Sequence, residues 1–424
     1  MMALFENYSF TLTTVSPLRV GSDEKLDGKQ YYMTGDKKKI LILDQRKLID
    51  LLVRKGKLDD YTDQIQQGVT LEQFFQQNSR VFSPGEIEQA ALYSLPVSNQ
   101  LEGRYLHLFR KDCGGQPYIP GSSLKGAIVT ALFAVYYEEI FAEQYRNNYE
   151  EAIRQLVRSY RQDGRAEFTE QQWGRLDRAL LRAMKILVPD LSDKNASPEQ
   201  KRVINLLRAI RISDSEPVDR NRLAACCKAD AYIEPRRSRY GAQMNENNPG
   251  ILHESLIPGT EVRFRLSIDC GCLARFREGM TAAQCVEWIR DALNTFREQQ
   301  DFYFTDLFFA EDKRDTSAPQ RDRVLADRVE RGDHFYFGAG TGFVNKTLVY
   351  PILAAKEGDD VLDHAIGFIA GLLDKQFWGD KHRNDVDLRV SPHKLKCVYY
   401  NDQRYLMGHC LFAIEPERAA RKLR

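Results

Sequence analysis

HESLIPGTEVRFRLSID, residues 253–269, holds the pattern that decides the fold. Pro258-Gly259 is a turn signal. Beyond it Val262, Phe264, Leu266 and Ile268 alternate with Arg263, Arg265, Ser267 and Asp269. A period of two sets the apolar four on one face of a strand, against a core, and leaves the other face polar. The beginning of the chain repeats the pattern, with Tyr8, Phe10 and Leu12 facing one way and Ser9, Thr11 and Thr13 the other. Each half of the chain therefore opens with an amphipathic strand.

Helical periodicity follows the strands. Cys285, Trp288, Ile289, Leu293 and Phe296 recur at intervals of three and four, which predicts an amphipathic helix over 281–297. Near the end, 395–400 and 405–414 read as strands around an Asn401-Asp402 turn, a hairpin. Strands and helices mixed within each half predict an α+β protein of two units, 1–255 and 256–424. Residues 45–105 and 140–205 read as helical insertions in the first unit, the second rich in Arg and Glu at helix-pair spacing.

Size and composition agree. A chain of 424 residues suits two domains, and 43% hydrophobic residues can fill their cores. Sixty-one basic and 60 acidic residues give a net charge of +1, so any grip on nucleic acid must come from local basicity. The eight cysteines form no CxxC pair near histidines, so cysteine-based zinc spacing is missing and reduced core thiols are expected. MMALFENYSF has no basic start before an apolar core, and no apolar run approaches the ~18 residues of a membrane helix. A cytoplasmic protein without a membrane partner is expected.

Four segments could carry chemistry. In YIPGSSLKGAI, residues 118–128, Ser122 or Ser123 can cap a helix whose face carries Leu124, Ile128, Ala131, Leu132 and Val135. Gly121, Ser122, Ser123, Lys125 and Gly126 would then offer backbone N–H groups, hydroxyls and an ammonium to a phosphate; plain helix capping with a solvated lysine is the alternative. FGAGTGF, residues 337–343, sets Gly338, Gly340 and Gly342 between aromatics, with Lys346 just beyond; it is either a loop allowing close backbone approach or a tight turn, and its spacing is not that of a dinucleotide fingerprint. ISDSEP, residues 212–217, is a turn cap or a catalytic acid. Arg236, Arg237 and Arg239 beside Tyr240 suit phosphates and stacked bases, or a solvated loop.

Together these segments resemble the RAMP superfamily of CRISPR proteins, and within it the Csm-family subunit that caps the 3′ end of the guide RNA in type III-A complexes. YIPGSSLKGAI resembles the Pro-Gly-Ser-Ser-hydrophobic-Lys-Gly helix start. HESLIPGTEVRFRLSID resembles the Glu-x-hydrophobic-x-Pro-Gly-Thr strand, through Glu254, Pro258, Gly259 and Thr260. GAGTGFVNKT resembles the glycine-rich segment of that subunit, and FTLTTVSPLRVGS, with Arg19, and RISDSEP also fit. One departure is Val129, where the superfamily often has arginine.

The resemblance implies two ferredoxin-like, RRM-type modules forming an RNA groove lined by Arg19, the 121–126 helix start, Arg236, Arg237, Arg239, the three glycines and Lys346. It implies crRNA as ligand and the other Csm subunits as partners, above all the repeated backbone RAMP subunit and the small helical subunit. A host nuclease would trim the guide's 3′ end. No cofactor, metal or catalytic residue is expected. The alternative is a RAMP-type endoribonuclease acting on crRNA precursor or target RNA. His107 lies in no recognisable site, and Asp23 and Asp27 sit in an early loop without a supporting motif.

Overall fold

The computed structural model describes residues 5–98, 104–140, 208–235, 242–247, 249–276, 279–301, 332–342, 344–346, 382 and 384–417, with two short strands and a few isolated residues between them. The first stretch runs β1 (Phe5–Thr14), β2 (Gly21–Asp27), β3 (Tyr31–Met33), β4 (Lys39–Leu43), α1 (Gln45–Arg54), α2 (Leu58–Gln66), α3 (Leu71–Gln77), α4 (Pro84–Gln89), β5 (Ala91–Pro96) and β6 (Tyr105–Phe109). Then come α5 (Gly121–Ile140), β7 (Leu187–Pro189), β8 (Val203–Asn205), β9 (Ile210–Ile212), β10 (Leu223–Pro235), β11 (Ala242–Asn247), β12 (Ile251–Leu256) and β13 (Glu261–Asp269). α6 (Cys270–Phe276), α7 (Ala282–Asp301), β14 (Asp333–Tyr336), β15 (Lys394–Tyr400), β16 (Gln403–Leu406) and β17 (His409–Pro416) complete the chain.

The two amphipathic strands are direct neighbours. β1 pairs antiparallel with β13, Phe10 opposite Phe264, and on its other edge with β17. The first sheet runs β14-β17-β1-β13-β9, and the second β16-β15-β10-β12-β6-β2 with β11 beside β10. Each sheet takes strands from both sides of residue 255, so the units expected at 1–255 and 256–424 interleave along the chain instead of following one another. The period-two pattern is realised: Phe10, Leu12, Val262, Leu266 and Ile268 are buried in the core shared by the two sheets. Phe10 stacks on Phe412 with centroids 5.6 Å apart.

Helices α5 and α7 pack together and cover the first sheet. α7 buries Cys285, Ile289, Leu293 and Phe296, while Trp288 stacks on Tyr136 at 5.0 Å. Val129 is buried, so the place of the missing arginine belongs to the core.

The 45–105 insertion is more than helices. β3-β4-β5 form a small sheet, and Leu41, Leu51, Phe74, Phe75 and Phe82 give this region its own core. Capping boxes at Thr70–Gln73 and Ser83–Glu86 start its helices α3 and α4. Most of 140–205 lies outside the described residues, though β7 and β8 pair within that helical-looking stretch. The C-terminal hairpin turns where expected, with Asn401 and Asp402 both at positive φ (48° and 61°), as a type I′ turn requires. Its second strand then splits. β16 ends at Leu406, Met407-Gly408 turns, and β17 crosses into the first sheet. No described helix is long and apolar enough to cross a membrane.

Candidate nucleic-acid interface

Strand register assembles a basic row on the outer face of the second sheet. Lys25 of β2 lies opposite His107 of β6, His107 opposite His253 of β12, and His253 opposite Cys226 of β10. Period two continues that face along β10 through Lys228, Asp230 and Tyr232. Asp230 lies opposite Lys396 of β15, and Tyr232 opposite Lys394. The inner face carries Leu106, Leu252, Ala225, Cys227, Ala229, Leu395 and Cys397, all buried. One face is therefore buried in the core while the other holds six lysines and histidines from strands far apart in sequence.

Two loops cover one end of this face. Residues 15–20 are sealed to β12 by Leu18 N–H donating to Leu256 O (3.0 Å) and Leu256 N–H to Leu18 O (2.8 Å). The glycine loop docks on them, Ala339 N–H donating to Arg19 O at 2.7 Å. Gly338, Gly340 and Gly342 all have positive φ. A Cβ on Gly338 would lie 2.6 Å from Arg19 O and from Leu18 Cδ1, so the close approach expected of this loop is real and is made to the chain's own backbone. Gly340 sits over His253, whose Cε1 is 3.7 Å from where its Cβ would be. Thr341 Oγ1 donates to Gly338 O (3.1 Å) and Asn345 Nδ2 to Thr341 O (2.6 Å), fixing the loop's shape.

Electrostatics sets this spot apart. Arg19 is 9% exposed, and burial pulls its guanidinium below the usual arginine range while Asp23 and Glu254 oppose. His107 and His253 stack 5.6 Å apart. Burial, and then the charge of Arg19, pushes both imidazoles down, His253 well below its ordinary value. Both are thus neutral at pH 7 and add hydrogen-bonding capacity without charge. Arg19 Nε, His253 Nδ1, Asp230 Oδ1 and Glu254 Oε1 are buried without a hydrogen-bond partner. Buried polar atoms are normally satisfied; Asp230 Oδ1 has a cation beside it and Glu254 lies on the inner face opposite Ala225, which leaves Arg19 Nε and His253 Nδ1 as the candidate place for a ligand. Lys396 Nζ donates to Asp230 Oδ2 at 3.0 Å and Lys228 lies 3.3 Å from Oδ1, two cations on one carboxylate. Lys394 lies 5.9 Å from the Tyr232 ring and Lys25 5.1 Å from the Tyr105 ring. Ammonium groups beside an exposed Tyr105 and a half-buried Tyr232 suit a phosphodiester backbone with stacked bases.

The expected residues divide sharply. Arg19, Gly338, Gly340 and Gly342 come together here; Lys346 follows in a short helical turn, Val344–Lys346. Arg236, Arg237 and Arg239 lie outside the described residues. The helix start at Gly121–Gly126 is closed by the chain itself. Asp214 Oδ1 accepts the Gly121 N–H at 2.8 Å, and Ser215 Oγ accepts the Ile119 N–H at 2.9 Å. A Cβ on Gly121 would strike the Ser213 and Ile212 carbonyl oxygens. Lys125 is not a solvent-side lysine: Nζ donates to Ile210 O at 2.7 Å, and burial lowers its pKa. Ser122 is exposed, and the Ser123 N–H donates to Pro120 O at 2.9 Å. The ISDSEP segment is therefore a cap, acting across the chain on another element. Glu254 is fully buried and accepts from Phe109 N–H (2.7 Å) and Lys111 Nζ (2.5 Å). His253, Lys25, Lys228, Lys394 and Lys396 escaped the sequence reading, which set His107 aside as lying in no recognisable site, although Lys228-x-Asp230-x-Tyr232 and Lys394-x-Lys396 already alternate.

This fold, with its basic sheet face and glycine loop, belongs to a known class. The RAMP superfamily model matches residues 11–344, and the chain belongs to that superfamily. The chain is similar to the CRISPR system protein Csm5 of Mycobacterium tuberculosis, 24% identical over 441 residues that cover 98% of this chain and 99% of the relative. Csm5 of Streptococcus thermophilus is 25% identical over 369 residues, 84% of this chain and 83% of the relative. The fold matches a chain in the cryo-EM structure of a Csm–crRNA–target RNA ternary complex of a type III-A system, with TM-score 0.60, 18% identity and coverage of 96% and 100%. It also matches the crystal structure of T. onnurineus Csm5, with TM-score 0.52, 19% identity and coverage of 95% and 99%.

Proposed function

We propose that this chain is the RNA-binding structural subunit of a type III-A Csm effector complex, capping the filament at the 3′ end of the crRNA and supporting its 3′-end maturation in antiviral defence. The observation that carries the reading is the basic face of the second sheet, with Arg19 and His253 holding unpaired buried nitrogens under the glycine loop. Its ligand is single-stranded guide RNA held by the backbone, because lysines and neutral imidazoles offer contacts to phosphates and sugars and no array of base-reading side chains. Partners are the repeated backbone RAMP subunit and the small helical subunit, with trimming left to a host nuclease.

The fold supports this reading. β1, α5, β9, β13, α7 and β17 follow one another in chain order and lie side by side as β17-β1-β13-β9. That is the ferredoxin-like order of a split βαβ pair, and we infer that the second sheet is the other RRM-type module, threaded through the first. Intrinsic nuclease chemistry gains no support from the early aspartates, since Asp27 caps its own turn, accepting from Lys29 N–H at 2.9 Å. The test is to purify Csm complexes assembled with and without this chain and sequence the guide 3′ ends. Without it, guides should be longer at the 3′ end and lost from the complex. Identical occupancy and 3′ ends in both preparations would overturn the proposal.

A further inference from the structure

Away from the basic row, three side chains converge on one buried point. Asp385 is fully buried; its Oδ2 lies 2.9 Å from His382 Nδ1 and its Oδ1 2.6 Å from His393 Nδ1. Ser391 Oγ donates to Oδ2 at 2.7 Å. The two imidazole rings are 4.9 Å apart. One nitrogen from each histidine and one carboxylate oxygen all lie within 4.8 Å of one another.

We propose that His382, Asp385 and His393 bind a divalent transition metal of zinc's class, which fastens the segment entering β15. Four observations point the same way. Two imidazoles and one carboxylate are the donor set of zinc and its neighbours, with nitrogen ligands favoured over calcium's or magnesium's oxygens. In a tetrahedral site with bonds of about 2.0–2.1 Å, ligand atoms stand about 3.3 Å apart. The three atoms here lie within 4.8 Å of one another, so binding would draw them together toward that spacing. Among the described residues no lysine or arginine pairs with Asp385, whose partners there are the two histidines and Ser391. Ser391 holds one carboxylate oxygen, the kind of outer hydrogen bond that orients a metal-ligating carboxylate.

The cluster's place gives the metal a consequence. His393 O accepts the Ile233 N–H at 3.0 Å, tying the cluster to β10. Lys394 and Lys396 follow immediately on β15 and belong to the basic face. A metal at this point would hold that end of the face in register. The spacing His-x2-Asp-x7-His contains no cysteine, which is why a search for zinc-finger spacing passes over it.

The experiment uses the full chain, stripped with chelator and dialysed, titrated with Zn²⁺ by calorimetry and with Co²⁺ by visible spectroscopy. One equivalent of Zn²⁺ should bind and raise Tm, and Co²⁺ should give the intense visible bands of a four-coordinate site. His382→Gln with His393→Gln keeps an amide N–H to donate to Asp385 while removing both nitrogen ligands. That variant should fold, by circular dichroism, and lose both the Zn²⁺-induced Tm shift and the Co²⁺ bands. A purely structural hydrogen-bond network would show no saturable binding in the wild type. That result, or an equal Zn²⁺ response from the variant, would overturn the proposal. Should the variant fail to fold, the wild-type titration decides alone.

Discussion

The helix start at Gly121 and the outer face of the second sheet show opposite uses of the same chemistry. The helix start carries backbone N–H groups, hydroxyls and a lysine in a row, yet its main donors turn inward while Ser122 is left exposed. Asp214 takes the Gly121 N–H, Ile210 O takes the Lys125 ammonium, and Ser215 takes the Ile119 N–H. The sheet face has no motif at all, yet it keeps an unpaired guanidinium nitrogen, an unpaired imidazole nitrogen and an excess of cations. A ligand is therefore expected where polar groups are left over, and a fastening where they are used up. Substitutions of opposite kind can break this contrast.

The largest effect belongs to the fastening. Gly121→Ala drives a methyl group into the Ser213 and Ile212 carbonyls, both backbone atoms that cannot rotate away. Overpacking of this kind costs about 1–3 kcal/mol or more. Denaturant unfolding should show a loss at the upper end of that range, with RNA affinity unchanged in the fraction that folds. Normal stability would mean that the helix start is looser than described.

The basic face should respond in the opposite sense. Lys25→Ala, Lys394→Ala and Lys396→Ala together remove three cations and leave Lys228 to balance Asp230. If each contacts one phosphate, the log–log salt slope for single-stranded RNA should shrink by about 2, and affinity at 0.15 M salt should fall roughly 50-fold. Lys228 stays on Asp230 when Lys396 is lost, so the stability loss should stay at about 1 kcal/mol. Unchanged affinity and slope would move the RNA off this face.

How much of this was legible in the sequence depended on how local the cause was. Phe10 and Phe264 announce their strands through neighbours two residues away, and Asn401-Asp402 announces its turn within two residues. What no local pattern could show is that β1 and β13 pair with each other, since the choice between one sheet and two lies in residues some 250 apart. Lys125 was read correctly as a helix-start cation. Its direction was misread because the carbonyl that draws it inward, Ile210 O, lies 85 residues downstream. The split of the last strand at Met407-Gly408 was hidden for the same reason: Gly408 has to pass against the Phe337 carbonyl, where a side chain would collide. The basic face was hardest to see, because its members run from residue 25 to residue 396 and converge only when the strands pair.

The His334–His409 pair extends the contrast to pH. His334 Nδ1 and His409 Nε2 share a 2.9 Å hydrogen bond between β14 and β17, inside the fastened junction. Burial, and then His334 and Arg297, push His409 down to about 3. A histidine whose folded pKa lies below its unfolded value leaves stability untouched above pH 6.5. Below that the unfolded chain binds the proton first, so stability falls with pH until the folded pKa is reached. At pH 5 His409 alone should cost roughly 2 kcal/mol. Wild-type Tm should therefore drop between pH 6.5 and 5, and His409→Asn should flatten that slope whatever its absolute stability. Parallel slopes would show that the junction opens to water.

The smallest effect tests the contrast most directly, since it sits on the residue whose chemistry most resembles a phosphate ligand. Lys125 Nζ donates to a strand carbonyl of β9 at 2.7 Å, and the stem of the side chain is half-buried beside it. Lys125→Ala removes one charge-assisted hydrogen bond and leaves the Ile210 carbonyl short of a donor, a loss of about 1–2 kcal/mol. Lys125→Met keeps most of the buried stem and removes only the ammonium, so it should recover the packing share of that loss and none of the hydrogen bond. Neither change should alter RNA affinity or its salt slope, because a cation already spent on a carbonyl releases no counterions from a phosphate. A reduced salt slope in Lys125→Met, at unchanged stability, would show the lysine swinging out to the RNA. The helix start would then belong to the ligand face instead of the fastening.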